Sequence, residues 1–498
     1  MRSVPAAVPA DLDPRTPVIL GVGVADQAVD EPGGGLDALG LMLAATRAAG
    51  ADTGSGAVLG AVGHVAVPDG TWSYSDPGRL IGAAIGAPGV RTSLVRVGIP
   101  QQALFDAAFR AVRSGDVDVV LVVGGEAMRR TVTARRAGVA APETVQTDAE
   151  PDDLQEPVGE IITAAEIAGG LASPMAPFAM IDNALRAAEG QSVADHVDEI
   201  ARLYAGFSRV AATNPRAAFP TARDPEFLRT PSERNRPLAF PYSKWHCAQM
   251  NVDQAGAVLI GTVASARRLG VDPSRWVFPL VALESSFSTP LSHRAEVHRW
   301  PAMEVLGAAA ADHLGHPLAA LDAFECYSCY PSAIRVQQRA LDLPRDGVPT
   351  ITGGEAFAGG PWNNFVLQTT AAMVEHLRGR PGTRGLVTSV SGLMNKPGLM
   401  VCSTEPGDRP LLVADLADRA ATATARRPVT ADHRGPAVVV TSTVFFEGLR
   451  PVRTVVLAET PDGERGVAAC PDPDLAERAT REELAGTPIQ VDTTGFTV

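Results

Sequence analysis

Short apolar runs broken by glycine alternate along the chain with Ala- and Leu-rich stretches of helical length. Residues 17–23 (Pro-Val-Ile-Leu-Gly-Val-Gly) and 57–67 predict strands, with an Ala/Leu-rich helix between them at 36–49. Residues 98–128 form the clearest unit. Gly98-Ile99-Pro100-Gln101-Gln102 opens a helix with proline in its first turn, and the helix stops near Ser114-Gly115. The run 117–123 (Val-Asp-Val-Val-Leu-Val-Val), apolar but for Asp118, then predicts a buried strand ending at Gly124-Gly125-Glu126.

The same grammar returns in the second half. Gly359-Gly360-Pro361-Trp362-Asn363-Asn364 opens a helix reaching His376-Leu377, and residues 385–392 predict a strand that leaves into a turn. Both helices start Gly-x-Pro followed by paired side-chain amides. Both follow a Gly-Val-x-Thr element, at 89–92 and 347–350. This pattern predicts two duplicated α/β halves. The expected divisions are 17–128 for the first half, 129–240 for an insertion covering one face, 241–270 for the return to the first half, 271–408 for the second half and 409–498 for an appended small β-barrel. Within the insertion, 141–160 reads as an acidic exposed loop and 194–210 as an amphipathic helix. Strands at 437–446 and 453–458, a short acidic helix at 474–478 and a strand at 489–492 suggest an OB-type barrel. Residues 1–16, rich in Pro and Asp, read as a disordered lead-in.

Composition narrows the function. The chain of 498 residues is 45% apolar and 20% charged, as in globular proteins. Its net charge of −13, and the absence of a basic stripe with interleaved aromatics in 409–498, argue against a nucleic-acid partner. Lysine occurs only at Lys244 and Lys396, which with the Ala, Gly, Pro and Val usage reads as a coding bias. No apolar run approaches the ~20 residues that span a bilayer, and the N-terminus lacks a signal-peptide core, so a cytoplasmic location is expected. The five cysteines are Cys247, Cys326, Cys329, Cys402 and Cys470; none precedes residue 247, and an odd number fits a reducing compartment. Cys326-x-x-Cys329 without a second pair reads as buried thiols, and no metal site is expected.

The duplicated halves, Gly124-Gly125-Glu126-Ala127-Met128, the stretch 250–257 and Phe324-Glu325-Cys326-Tyr327-Ser328-Cys329-Tyr330 together resemble the thiolase superfamily over residues 16–405. The last stretch resembles the His-Asp-Cys-Phe segment of its sterol-carrier-protein type. With the appended barrel, the chain most resembles the acetyl-CoA acetyltransferase-like, thiolase-like protein type 1 subgroup of actinobacteria. The resemblance implies a layered αβαβα fold from two βαβαβαββ halves, coenzyme A (CoA) or acyl-CoA as ligand without a bound cofactor, and a role in lipid metabolism.

Family thiolases make or break a carbon–carbon bond beside a thioester. They use a cysteine at a helix N-terminus, a His in a Gly-His-Pro turn, a cysteine in a Cys-x-Gly turn and an Asn or His on a facing loop. The corresponding positions here are Gly98, Gly360 in Gly359-Gly360-Pro361, Ser389 in Ser389-Val390-Ser391-Gly392, and Tyr327. Ordinary thiolase activity is therefore expected to be absent. Tyr327 and Cys329 remain as catalytic candidates. Gln101, His246, Gln249, Tyr330, Gly359 and Ser391 are candidates for substrate or CoA contact, and Arg129, Arg130, Arg135 and Arg136 either meet phosphates or form a solvated face.

Three functions stay open. One is an acyl-CoA-binding protein or an acyltransferase of another type. A second is a lyase that cleaves a β-hydroxyacyl-CoA with tyrosine as acid or base, as in thiolase relatives with aldolase activity and an OB-fold partner. A third is a structural subunit of a lipid-metabolising complex. A monomer or homodimer is expected.

Overall fold

The computed structural model describes residues 12–147 and 149–498; most of the lead-in, residues 1–11, lies outside the described residues. Two mixed sheets enclose a pair of helices. The first sheet runs Pro17–Gln27, Asp253–Thr262, Val119–Ala127, Val62–Pro68, Arg91–Val95 and Asp153–Gln155. The second runs Ala323–Glu325, Arg384–Ser391, Lys396–Ser403, Phe278–Glu284 and Leu412–Asp415. Across the sheets, Pro17–Gln27, Asp253–Thr262, Val119–Ala127 and Val62–Pro68 stand in the same order as Phe278–Glu284, Lys396–Ser403, Arg384–Ser391 and Ala323–Glu325. In both, the second strand of this order lies antiparallel between its two neighbours. The predicted duplication is thus present in topology.

The first central helix, Gln102–Ser114, and the second, Phe365–Arg378, touch strands of both sheets and form the middle layer. Helices Ala38–Asp52 and Pro301–Leu314 cover the outer faces. This layering explains why Val119–Ala127 and Asp253–Thr262 are buried at every position: a strand covered on both faces has no polar side to show. The halves differ at their third strand. In the second half the counterpart of Arg91–Val95 forms no ladder; Pro349 O instead accepts a bond from Cys326 N at 2.9 Å.

Two features depart from the sequence expectation. The acidic stretch 141–160 is not loop throughout: Asp153–Gln155 pairs in parallel with Arg91–Val95 and covers the edge of the first sheet. Thr92 N donates to Asp152 Oδ2 at 2.8 Å and locks the register. In addition, Leu412–Asp415 belongs to the second sheet, so that sheet extends past residue 408.

The C-terminal region is an antiparallel sheet of Arg465–Cys470, Arg450–Glu459, Gly435–Glu447, Pro488–Asp492 and Gly495–Thr497, and Pro473–Ala479 is its helix. The first and last of these strands touch without a ladder between them. The sheet is shared with the insertion, because Pro237–Ala239 pairs with Gly435–Glu447. Asn183 Nδ2 donates to Ser442 O at 2.9 Å and to Phe240 O at 3.2 Å. Thr441 Oγ1 donates to Met180 O at 2.7 Å.

Candidate functional site

The residues singled out in the sequence fall into two groups. One surrounds the head of the first central helix. Gly98 has φ +103°, and a Cβ placed on it would lie 3.0 Å from both Pro157 and Ile161, so insertion residues roof this position. Lys396 is fully buried, and its Nζ donates to Gly98 O at 2.9 Å and to Val158 O at 2.6 Å. Burial pulls its pKa down, while Glu284 and Asp415 oppose that. Nearby, burial raises Asp106 to about 7 and Glu284 to about 8. Ser389 Oγ is buried without a partner among the described residues and faces Gly398 beside Gln102. Ser391 O accepts from Asn395 N at 3.2 Å and closes the following turn. Gln101 is buried, and its Oε1 accepts from Val366 N at 3.0 Å; it satisfies an amide at the start of the second central helix.

The second group is a recess knitted from three segments. Ala248 N donates to Cys329 O at 2.9 Å, Gln249 N to Glu355 O at 3.1 Å and Gly360 N to Gln249 O at 3.0 Å. Ser328 N donates to Glu355 Oε1 at 3.1 Å, and Ser328 Oγ accepts from Glu355 N at 3.0 Å. Ala248, Gln249, Cys329 and Tyr330 keep part of their surface open, whereas Tyr327 and Glu355 are 8% and 3% exposed. Tyr327 is bonded through its backbone, to Thr388 Oγ1 and Gln337 Nε2, and its ring meets Phe365 edge-on. Tyr330 stacks on Tyr242 and leans on Phe178. Burial raises the thiol of Cys329 and the phenols of Tyr327 and Tyr330 well above their ordinary values, so all three are neutral at pH 7.

Gly360 has an ordinary φ, yet a Cβ there would lie 3.0 Å from Ala248 Cβ and 3.4 Å from Glu355 Oε2. The space a side chain at 360 would enter is thus bordered by the Glu355 carboxyl. At Gly359, with φ +112°, an added Cβ would collide with the Gln254 amide. His246 is buried; its Nδ1 accepts from Ser243 N at 3.2 Å and burial lowers its pKa to about 4, so it is a neutral cap of its own turn.

Two cavities lie beside the recess. One of about 430 Å³ is lined by Gly359, Gln254, Phe365 and Arg216 among others. The other, of about 540 Å³, is lined by Arg129, Arg136, Arg216, Lys244, Gln249 and Gln254, with Asp26 and Asp253. Arg216 is engaged by Glu375 at 2.8 Å and 3.0 Å. Of the four arginines noted in the sequence, Arg130 points elsewhere, to the carbonyls of Gly34 and Pro142. Among the described residues no cluster of three or more His, Cys, Asp or Glu could hold a metal. Among them, too, no single helix is long and apolar enough to cross a membrane.

Sequence reasoning missed Glu355. The signal was available: a lone carboxylate in Gly353-Gly354-Glu355-Ala356-Phe357-Ala358, just before Gly359-Gly360-Pro361.

The fold is that of the thiolases. No protein-family model matches the chain, and no curated protein matches it. Among solved structures, a monomeric SCP2-thiolase-like protein type 1 from Mycobacterium smegmatis is 28% identical with a TM-score of 0.82, covering 97% of this chain and 98% of its own. The Ltp2–ChsH2(DUF35) aldolase is 19% identical with a TM-score of 0.59, covering 79% of this chain and 99% of its own. Human mitochondrial 3-ketoacyl-CoA thiolase is 17% identical with a TM-score of 0.55, covering 78% and 99%. The last two likenesses concern the fold alone.

Proposed function

We propose that this protein binds an acyl thioester of CoA and does not carry out the covalent thiolase reaction; it acts in lipid metabolism as an acyl-CoA-binding protein or as an acyltransferase working by another route. The observation that carries the reading is Gly98. Four residues before the first central helix, at the position the sequence resemblance matches to a thiolase's nucleophile, stands a glycine with φ +103°, roofed by Pro157 and Ile161 and tied through its carbonyl to Lys396. The separate recess at Cys329, Glu355 and Gly360, where Cys329 keeps part of its surface open, supports a ligand site. The cationic cleft with Arg129, Arg136 and Lys244 supports an anionic ligand in a chain whose net charge is −13.

The protein is proposed to be a monomer in the cytoplasm. Asp153–Gln155 occupies the outer edge of the first sheet, the described cysteines are all free, and the mycobacterial neighbour is described as monomeric. Calorimetry with CoA and a short acyl-CoA tests the ligand: saturable binding is expected, and no heat with either overturns it.

A second reading is a lyase that cleaves a β-hydroxyacyl-CoA with Tyr327 as acid or base. The Tyr327 hydroxyl, which has no hydrogen-bond partner among the described residues while the Tyr327 backbone is held by Thr388 and Gln337, favours it. On that reading Tyr327→Phe abolishes cleavage, and an unchanged rate removes it.

A further inference from the structure

Among the described residues, Glu355 is the carboxyl knitted into the recess, and its two oxygens are treated differently. Oε1 accepts the Ser328 amide at 3.1 Å. Oε2 has no hydrogen-bond partner among the described residues and lies 3.4 Å from where a Cβ of residue 360 would stand. The carboxyl therefore borders the space that a side chain of the Gly359-Gly360-Pro361 turn would otherwise fill. Its placement is rigid. Gly353 and Gly354, with φ of +100° and +69°, fold the chain back, and their amides are held by Thr350 Oγ1 and Thr352 Oγ1. Ala248, Cys329 and Tyr330, beside it, keep part of their surface open.

Resting on the thioester reading above, we propose that Glu355 is an acid–base residue of this site and exchanges a proton with the carbon beside the carbonyl of a bound acyl thioester. In the forward step the Cα–H bond breaks and an O–H bond forms on Oε2, while the released electron pair moves into the thioester as an enolate. In the return step the enolate carbon takes a proton back from the carboxyl. No redox partner is consumed.

The surroundings suit this task. Glu325, Tyr204, Tyr327, Cys329 and Tyr330 are the titratable groups felt by Glu355, and no cation among the described residues faces it. Burial pushes the carboxyl up to about 8, so it holds a proton at neutral pH and becomes a base of useful strength just above it.

The test is proton exchange of acetyl-CoA in deuterated water, followed by NMR. Wild-type protein is expected to exchange the methyl protons at a rate that rises through about pH 8 and then levels. Glu355→Gln is expected to slow exchange by about 100-fold with an unchanged Kd for acetyl-CoA, and Glu355→Asp to recover part of the rate. If acetyl-CoA does not bind, the thioester reading falls and this proposal with it. If it binds but does not exchange, or if E355Q exchanges like wild type, Glu355 only holds the loop and the thioester reading stands. Should E355Q fail to fold, the wild-type pH profile decides: a rate without an inflection near pH 8 contradicts the proposal.

Discussion

Two buried side chains, Lys396 and Glu355, stand in the two groups that make up the candidate site. Lys396 is one of two lysines, and its ammonium is sealed in a shell where two carbonyls accept it. Replacing it by methionine leaves those carbonyls unpaired and is expected to destabilise the fold by about 2 kcal/mol, read from denaturant midpoints. Restoring a thiol at residue 98 is expected to fail for a steric reason. Gly98→Cys forces a side chain into positive φ against Pro157 and Ile161, at a cost of ~1–3 kcal/mol. The variant should melt lower than wild type and still form no acyl-enzyme by mass spectrometry. The glycine and the missing thiol were legible in the sequence; the roof and the lysine tether were not. Val158 and Lys396 are 238 positions apart, and nothing local in either stretch announces the contact.

At the level of elements, Asp153–Gln155 changes how the first sheet meets its surroundings. A bare Arg91–Val95 edge offers unpaired backbone groups to another chain; a parallel neighbour with its carboxylate lock removes that offer. Sedimentation at micromolar concentration is expected to give one species of monomer mass, and a dimer would contradict this. The strand escaped sequence reading because three residues with Pro151 and Pro157 on either side show neither alternation nor an apolar run. The duplicated helix–strand units, by contrast, were plain: a fully buried strand such as Val119–Ala127 has to be apolar throughout, and a helix between two sheets announces itself by proline and glycine at its ends. The C-terminal sheet is clamped to the insertion by Asn183, whose amide serves two carbonyls. Asn183→Ala is expected to cost about 1–3 kcal/mol and to loosen both regions together, seen as faster hydrogen exchange in 435–447 and in 175–188.

For the molecule as a whole, burial of acids sets the response to pH. Asp106, Glu126 and Glu325 are raised to about 7, and Glu284 and Glu355 to about 8. Each binds its proton more tightly folded than unfolded, so its contribution is present at low pH and is lost as pH rises through the folded value. His246, lowered to about 4, acts in the opposite sense, but below its unfolded value of about 6.5. The thermal midpoint is therefore expected to fall between about pH 6.5 and about pH 8.5, and a flat or rising midpoint would show that these acids are solvated. The thiolase-like architecture was readable in the sequence because glycine turns and buried strands leave strong patterns. The recess was readable only in part, since Cys329 and Gly360 sit in motifs whereas Glu355 gains its meaning from a hydrogen-bond net across three segments. The central claim is that a thioester site persists without a thiolate at the head of the first central helix. Incubation of the protein with acetoacetyl-CoA and CoA tests it most directly: the account predicts acetyl-CoA formation no faster than in a protein-free control, and robust acetyl-CoA production would contradict it.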